Sequence, residues 1–239
     1  LPEYGGARGG GDGGIELVWN NPDSSTLDSM VSMGDYVLYY EKHHEKGVEL
    51  FRSNGTEDGT FLVKDINPGE NSSGPGGLTE LNGIAYFKAD DGTNGKELWR
   101  SDGTADGTFL VNDINPDGDS YPLYLTALGD ELLFTAVDED HGRELWKSDG
   151  TAEGTVLVKD IFPGEENSNL AGQFNRKRDL LGEGQQFITF GNSIYFKANN
   201  GSASDANSTG GELWRSDGTS EGTYLVKDIR PGSVSGLQG

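Results

Sequence analysis

Glu144-Leu-Trp-Lys-Ser-Asp-Gly-Thr151, followed by Ala-Glu-Gly-Thr-Val-Leu-Val-Lys-Asp-Ile161, is the stretch whose reading decides the fold. A short apolar strand runs through Leu145 and Trp146 into the turn sequence Ser148-Asp149-Gly150-Thr151. An Asp in such a turn accepts hydrogen bonds from its own backbone, and Gly takes conformations that other residues resist. After Gly154-Thr155 a second strand reads Val-Leu-Val-Lys. Close copies begin at Glu49, Glu97 and Glu212, at intervals of 48, 47 and 68 residues. Self-similarity at this period marks a repeat architecture.

Upstream of every copy, two apolar anchors precede a turn dipeptide. Met30 and Met33 stand before Gly34-Asp35, Leu78 and Leu81 before Asn82-Gly83, Leu125 and Leu128 before Gly129-Asp130, and Phe187 and Phe190 before Gly191-Asn192. These dipeptides tolerate positive φ and close tight β-hairpins. The following strands are expected at 36–40, 84–89, 131–136 and 194–198. Each unit is therefore four short strands joined by turns, the pattern of a propeller blade. No segment keeps a helical period, which excludes a helical solenoid.

The fold expected is all-β, a β-propeller of four four-stranded blades at about 30–66, 78–114, 125–161 and 187–229 in one domain, 30–239. A closed four-bladed ring is the first expectation. Part of a larger propeller is the alternative, since 231–237 resembles the linker before Leu78 and a fifth blade would begin there. Residues 1–29 read as a Gly-rich leader with one extra apolar strand, Ile15–Trp19, which could add to an edge, close the ring or pair with a neighbouring molecule.

Eighteen basic residues against 40 acidic ones give a net charge of −22. That balance opposes binding to nucleic acid and to anionic membrane surfaces, which need clustered Lys and Arg. No apolar run reaches the length of a membrane span. Cysteine is absent, so disulfides, thiolate metal sites and cysteine nucleophiles are excluded together.

The units at 97–104, 144–151 and 212–219 resemble in full the ELWxxDGT repeat of a bacterial family, and the likeness covers roughly residues 30–230. The first copy departs from it, with Phe51 for Trp and Asn54 for Asp, so its turn is expected to be held more loosely. The turn is also similar to the Asp-box of sialidase-like propellers, a structural device between the third and fourth strands of a blade. The resemblance implies an extracytoplasmic protein, secreted or at the cell surface, with no common enzymatic activity.

The repeated Asn54, Asp102, Asp149 and Asp217 read as turn fasteners, and Trp99, Trp146 and Trp214 as core between blades rather than sugar platforms. Glu97, Glu144 and Glu212 recur too, and a carboxylate written into every blade suits a hydrogen-bonding role better than catalysis, because active sites break symmetry. Asp65, Asp113, Asp160 and Asp228 either cap turns or, if they converge, ring a hard cation. Calcium is a second expectation for two acidic loops, at Asp117 and Asp119 and at Asp138 and Asp140, although neither has EF-hand spacing. His43-His44 is rejected as a metal site, because neighbours on a strand point to opposite faces.

No nucleophile elbow, phosphate loop or zinc helix motif occurs, and the chain reads as no enzyme. The expectation is a non-catalytic extracytoplasmic scaffold that presents loops for protein–protein assembly or self-assembly. Its alternatives are a calcium-dependent adhesin binding polysaccharide or matrix, and a glycan-active enzyme. Partner contacts are expected where the repeat is interrupted: the insertion at 163–185 with Arg176, Lys177 and Arg178, the loop at 199–211, and the apolar strand with Ile15, Leu17 and Trp19.

Overall fold

Leu38, Leu50, Val63 and Ile66 of one sheet close on Leu78, Ala85, Phe87, Ala89 and Trp99 of the next, and the molecule is this seam repeated. The structure, a computed structural model, describes residues 30–163, 187–200 and 211–229. The first sheet holds β1 (Met30–Ser32), β2 (Val37–His43), β3 (Gly47–Ser53) and β4 (Phe61–Lys64). The second holds β5 (Gly76–Leu81), β6 (Ile84–Asp90), β7 (Lys96–Ser101) and β8 (Phe109–Asn112). The third holds β9 (Leu123–Leu128), β10 (Glu131–Asp138), β11 (Gly142–Ser148) and β12 (Val156–Lys159). The fourth holds β13 (Ile188–Phe190), β14 (Ser193–Ala198), β15 (Glu212–Ser216) and β16 (Tyr224–Lys227).

Strands pair antiparallel in chain order within each sheet. The fold is thus all-β, with four four-stranded blades of the propeller type. The second strands of the first three blades run one to three residues beyond their expected C-terminal ends. First strands lie on the inside, β1 beside β5 and β5 beside β9.

Local chemistry explains the blade. Asn82 and Gly83 both take positive φ, 53° and 79°, as a two-residue hairpin of the mirror-image kind requires. In the next turn Asp102 Oδ1 accepts hydrogen bonds from Thr104 N at 2.9 Å and Thr104 Oγ1 at 2.6 Å. Asn54 accepts the same two bonds at 3.1 and 2.6 Å, so the first turn is not held loosely after all. An amide oxygen replaces a carboxylate oxygen there without losing either donor.

A blade in the middle of the array is covered on both faces, so its second strand is apolar on both. Leu132, Phe134 and Ala136 pack back on the second blade, and Leu133 packs forward on the fourth. Trp99, Trp146 and Trp214 each sit in the seam with the preceding blade. Polar bonds lace the same seams. Arg52 Nη1 donates to Gly103 O at 3.1 Å and Arg100 Nη1 to Gly150 O at 3.3 Å. Lys64 Nζ reaches Thr108 O and Lys159 Nζ reaches Thr223 O, both at 2.6 Å.

The buried glutamates fasten the exit from each blade. Glu97, with no solvent exposure, accepts from Ile114 N at 3.0 Å, Ser120 N at 2.7 Å and Ser120 Oγ. Glu49 does the same for Ile66 and Ser73, and Glu144 accepts from Ile161 and Phe162. Among the described residues no apolar cluster joins the fourth blade to the first. Among the described residues the closed four-bladed ring expected first therefore has no closing seam, and none of them covers the forward face of the fourth blade.

Removing one fastener tests this account. Glu97→Ala leaves buried donors at Ile114 and Ser120 without partners, each worth about 1–3 kcal/mol. Chemical denaturation should show a loss of about 3 kcal/mol in unfolding free energy. A loss below about 0.5 kcal/mol, the range of ordinary surface substitutions, contradicts it.

Candidate functional site

Antiparallel order puts the ends of a blade to different uses. Hairpins between first and second strands, and the Asp-Gly-Thr turns, lie at one end. Loops between second and third strands, and the linkers between blades, lie at the other. Both interruptions of the repeat enter at this second end, one between β12 and β13 and one between β14 and β15.

Here the second and third blades depart from the repeat in a concerted way. Tyr121 of the linker and Tyr124 of β9 hold positive φ, 46° and 59°, in a region that bulky side chains avoid. Tyr121 is held from three sides. Its N donates to Lys96 O at 3.0 Å, its O accepts from Arg143 Nη1 at 2.9 Å, and its hydroxyl lies 3.1 Å from Lys96 Nζ. Tertiary contacts over-determine the strained backbone, as functional sites often require.

Two ammonium groups surround the Tyr121 ring, Lys96 Nζ at 4.8 Å and Lys88 Nζ at 5.9 Å from its centroid. Lys88 projects from β6 toward the third blade. Burial lowers its pKa, and repulsion from Lys96 and Arg143 lowers it further. Arg143 is buried, and its pKa falls to about 10 through burial. Its guanidinium also donates to Thr135 Oγ1 at 3.0 Å. Among the described residues neither Lys88 nor Lys96 has a carboxylate within ion-pair distance. Asp119 attracts both ammonium groups from beyond ion-pair distance, and Lys88, Lys96 and Arg143 together gather three cations in a chain with 40 acidic residues.

Sequence reasoning missed this cluster, although a signal existed. Tyr40, Lys88, Thr135 and Lys197 occupy one repeat position, and Val48, Lys96, Arg143 and Gly211 another. In the second to fourth blades these positions vary where their neighbours do not.

The predicted site residues fall elsewhere. Asp102, Asp149 and Asp217 each accept the backbone N–H and hydroxyl of the Thr two residues on. Those bonds hold their carboxyls below the usual range. Of the four acidic residues expected to bind calcium, Asp119 accepts from Lys96 N at 2.8 Å and Asp138 from His141 N and Nδ1, both at 2.7 Å. Asp117 and Asp140 are exposed. Among the described residues no three acidic or histidine side chains converge, and this includes Asp65, Asp113, Asp160 and Asp228. His43 and His44 do not point apart as expected. His43 ends β2 and the turn brings the rings into a stack at 4.5 Å. Arg176, Lys177, Arg178, Ile15, Leu17 and Trp19 lie outside the described residues.

No family model and no curated protein matches the chain. Solved structures do. A puromycin hydrolase has a TM-score of 0.52 at 13% identity, covering 88% of this chain and 29% of that one. A mutant of puromycin hydrolase in complex has 0.51 at 13%, covering 83% and 28%. The endo-arabinase from Bacteroides thetaiotaomicron has 0.37 at 12%, covering 87% and 80%. The chain thus spans under a third of the hydrolase chains it matches. What these likenesses share is the propeller fold. They also correct one expectation: proteins of this build include enzymes, so the repeat gives no ground for a non-catalytic scaffold.

The Asp138–His141 pair offers a check on this end of the third blade. Its hydrogen bond raises the His141 pKa, so the pair's contribution is present below pH 6.5 and fades as pH rises through the folded value. NMR titration should place His141 above 6.5, and Asp138→Asn should bring it back down. A wild-type value at or below 6.5 contradicts the pairing.

Proposed function

We propose that this chain is the propeller of a glycan-active protein and holds an acidic saccharide at the loop end of its second and third blades. The observation that carries this reading is the Tyr121 ring flanked by the ammonium groups of Lys88 and Lys96, with no carboxylate among the described residues within ion-pair distance of either. An aromatic ring takes the C–H face of a pyranose, and an adjacent ammonium takes a uronate carboxylate. Arg143 is committed to Tyr121 and Thr135, so it positions the ring rather than meeting the sugar. The buried cationic surroundings raise the value of each contact, because a ligand carboxylate relieves the repulsion between Lys88 and its neighbours.

Three features support a substrate site over a structural cluster. The strained Tyr121 backbone is held by partners from two blades. The cluster breaks a repeat that is otherwise regular. It opens at the end where the insertions of the fourth blade also enter. A neutral-glycan reading has no comparable support, because it gives the Lys88 ammonium beside the ring no ligand group to meet.

Calorimetry with uronic-acid oligosaccharides and with neutral ones of equal length tests the proposal. The wild-type protein should bind the acidic ligands and weaken as salt is added. Lys88→Ala and Tyr121→Ala should each weaken binding about tenfold, equivalent to 1.4 kcal/mol, with melting temperatures recorded alongside. Equal binding of neutral ligands, or acidic binding untouched by both substitutions, overturns it.

A further inference from the structure

The saccharide site sets two amines beside one phenol, and the surroundings treat the amines oppositely. Lys96 Nζ donates to the Tyr121 hydroxyl at 3.1 Å. That bond, with attraction from Asp119 and Asp90, raises the Lys96 pKa against the opposing pull of burial. Lys88 Nζ lies 5.9 Å from the Tyr121 ring centroid. Burial and the charges of Lys96 and Arg143 lower its pKa, despite attraction from Asp119. One amine stays a cation, and the other gives up its proton more readily. Neighbouring groups pushed apart in this way divide acid from base work in a site.

The three groups are also placed to act on one bound sugar. Tyr121 is fixed by Lys96 O and by Arg143, and the two lysines come from the neighbouring strands β6 and β7. All three side chains are half-buried, so each keeps a surface that a ligand can reach. The seam between the first and second blades has Tyr40, Val48 and Gly74 at the matching positions, so a seam forms without this set. The nearby carboxylates are engaged with backbone. Asp90 Oδ1 accepts from Gly92 N at 2.7 Å and Asp119 Oδ1 from Lys96 N at 2.8 Å. Hydrolysis of a glycosidic bond ordinarily uses two carboxyl groups flanking it. The groups left to move a proton here are the amines and the phenol.

We propose that this site cleaves 4-linked uronate chains by β-elimination, with Lys88 as the base, Tyr121 as the acid and Lys96 on the uronate carboxylate. This activity rests on the acidic-saccharide reading above. An ammonium has three donors, so Lys96 meets the carboxylate while keeping its bond to the Tyr121 hydroxyl. Neutralising the carboxylate makes the adjacent C5–H bond acidic, because the charge that develops there is stabilised. Lys88 Nζ takes the C5 proton, the electron pair forms the C4–C5 double bond, and the C4–O4 bond breaks. The leaving O4 takes the proton of the Tyr121 hydroxyl, and Lys96 Nζ stabilises the phenolate. Lys88 releases its proton to solvent and Tyr121 regains one, so the sum moves one proton from C5 to O4 and consumes no water. One product carries a double bond conjugated to its carboxylate, and the other carries a new reducing end.

Oligogalacturonate and oligomannuronate, both 4-linked, test this with the full chain. Calorimetry reads binding, and the ultraviolet absorbance of the conjugated double bond and the new reducing ends read cleavage. The wild type should give both cleavage signals in equal amounts. Its rate should rise with pH as Lys88 loses its proton and level off below the ordinary lysine value. Lys88→Arg keeps a cation that cannot serve as a base, and Tyr121→Phe keeps the ring without its hydroxyl. Each should bind as the wild type does and lose about a hundredfold or more in rate, with the melting temperature unchanged. Binding without cleavage, reducing ends without the absorbance, or elimination that both variants retain overturns the elimination and leaves the saccharide reading standing. Failure to bind either uronate overturns both.

Discussion

A carboxylate shut away from water at the start of each third strand governs how one blade passes to the next. Glu97 accepts backbone hydrogen bonds from both sides of the linker, from Ile114 where the chain leaves β8 and from Ser120 where it turns toward β9. Burial drives its pKa up to about 7 against the opposing pull of those donors. The donors tie the linker to the strand it has just left. The linker geometry then sets where the next blade begins, and the apolar seam follows. A single residue type, repeated at one position, thus converts four similar hairpin pairs into an ordered array.

The same fastening prepares the place where the repeat is broken. Ser120 is locked by Glu97, and Tyr121 follows it directly with a positive φ that its own sequence would not choose. Lys96, the residue before Glu97, accepts the Tyr121 N–H on its carbonyl and donates from its ammonium to the Tyr121 hydroxyl. The scaffold bond and the candidate site are therefore neighbours along both chain segments. Rigid support beside a variable surface is what a binding site needs, because side chains that are already placed lose little freedom when a ligand arrives.

Much of the fold was legible because its causes are local. Turn dipeptides such as Asn82-Gly83 declare their backbone conformation, and the Asp-Gly-Thr turns hold themselves with bonds that span two residues. Repetition then multiplied each local signal by four. The candidate site was not legible, since Lys88, Lys96, Tyr121 and Arg143 come together from β6, β7, a linker and β11. Their only mark in the sequence is variation at repeat positions that are otherwise uniform, and the search for motifs passed over it. The histidine pair shows the opposite failure. A correct rule about strands was applied one residue past the end of β2, where the turn had already taken over.

Repetition also explains why the two outer faces of the array differ. Every internal blade must present a forward face that fits the next back face, so the forward set of Val, Ile and Lys is kept from blade to blade. The fourth blade keeps that set although no described residue covers it. The first blade has drifted on its back face, with Tyr39, Glu41 and Phe51 where the others carry Phe, Ala and Trp. Terminal units of a repeat array tolerate polar change on their outer faces. The polar drift is partial, since the Tyr39 and Phe51 rings still meet, tilted, at 5.9 Å and Phe51 stays buried.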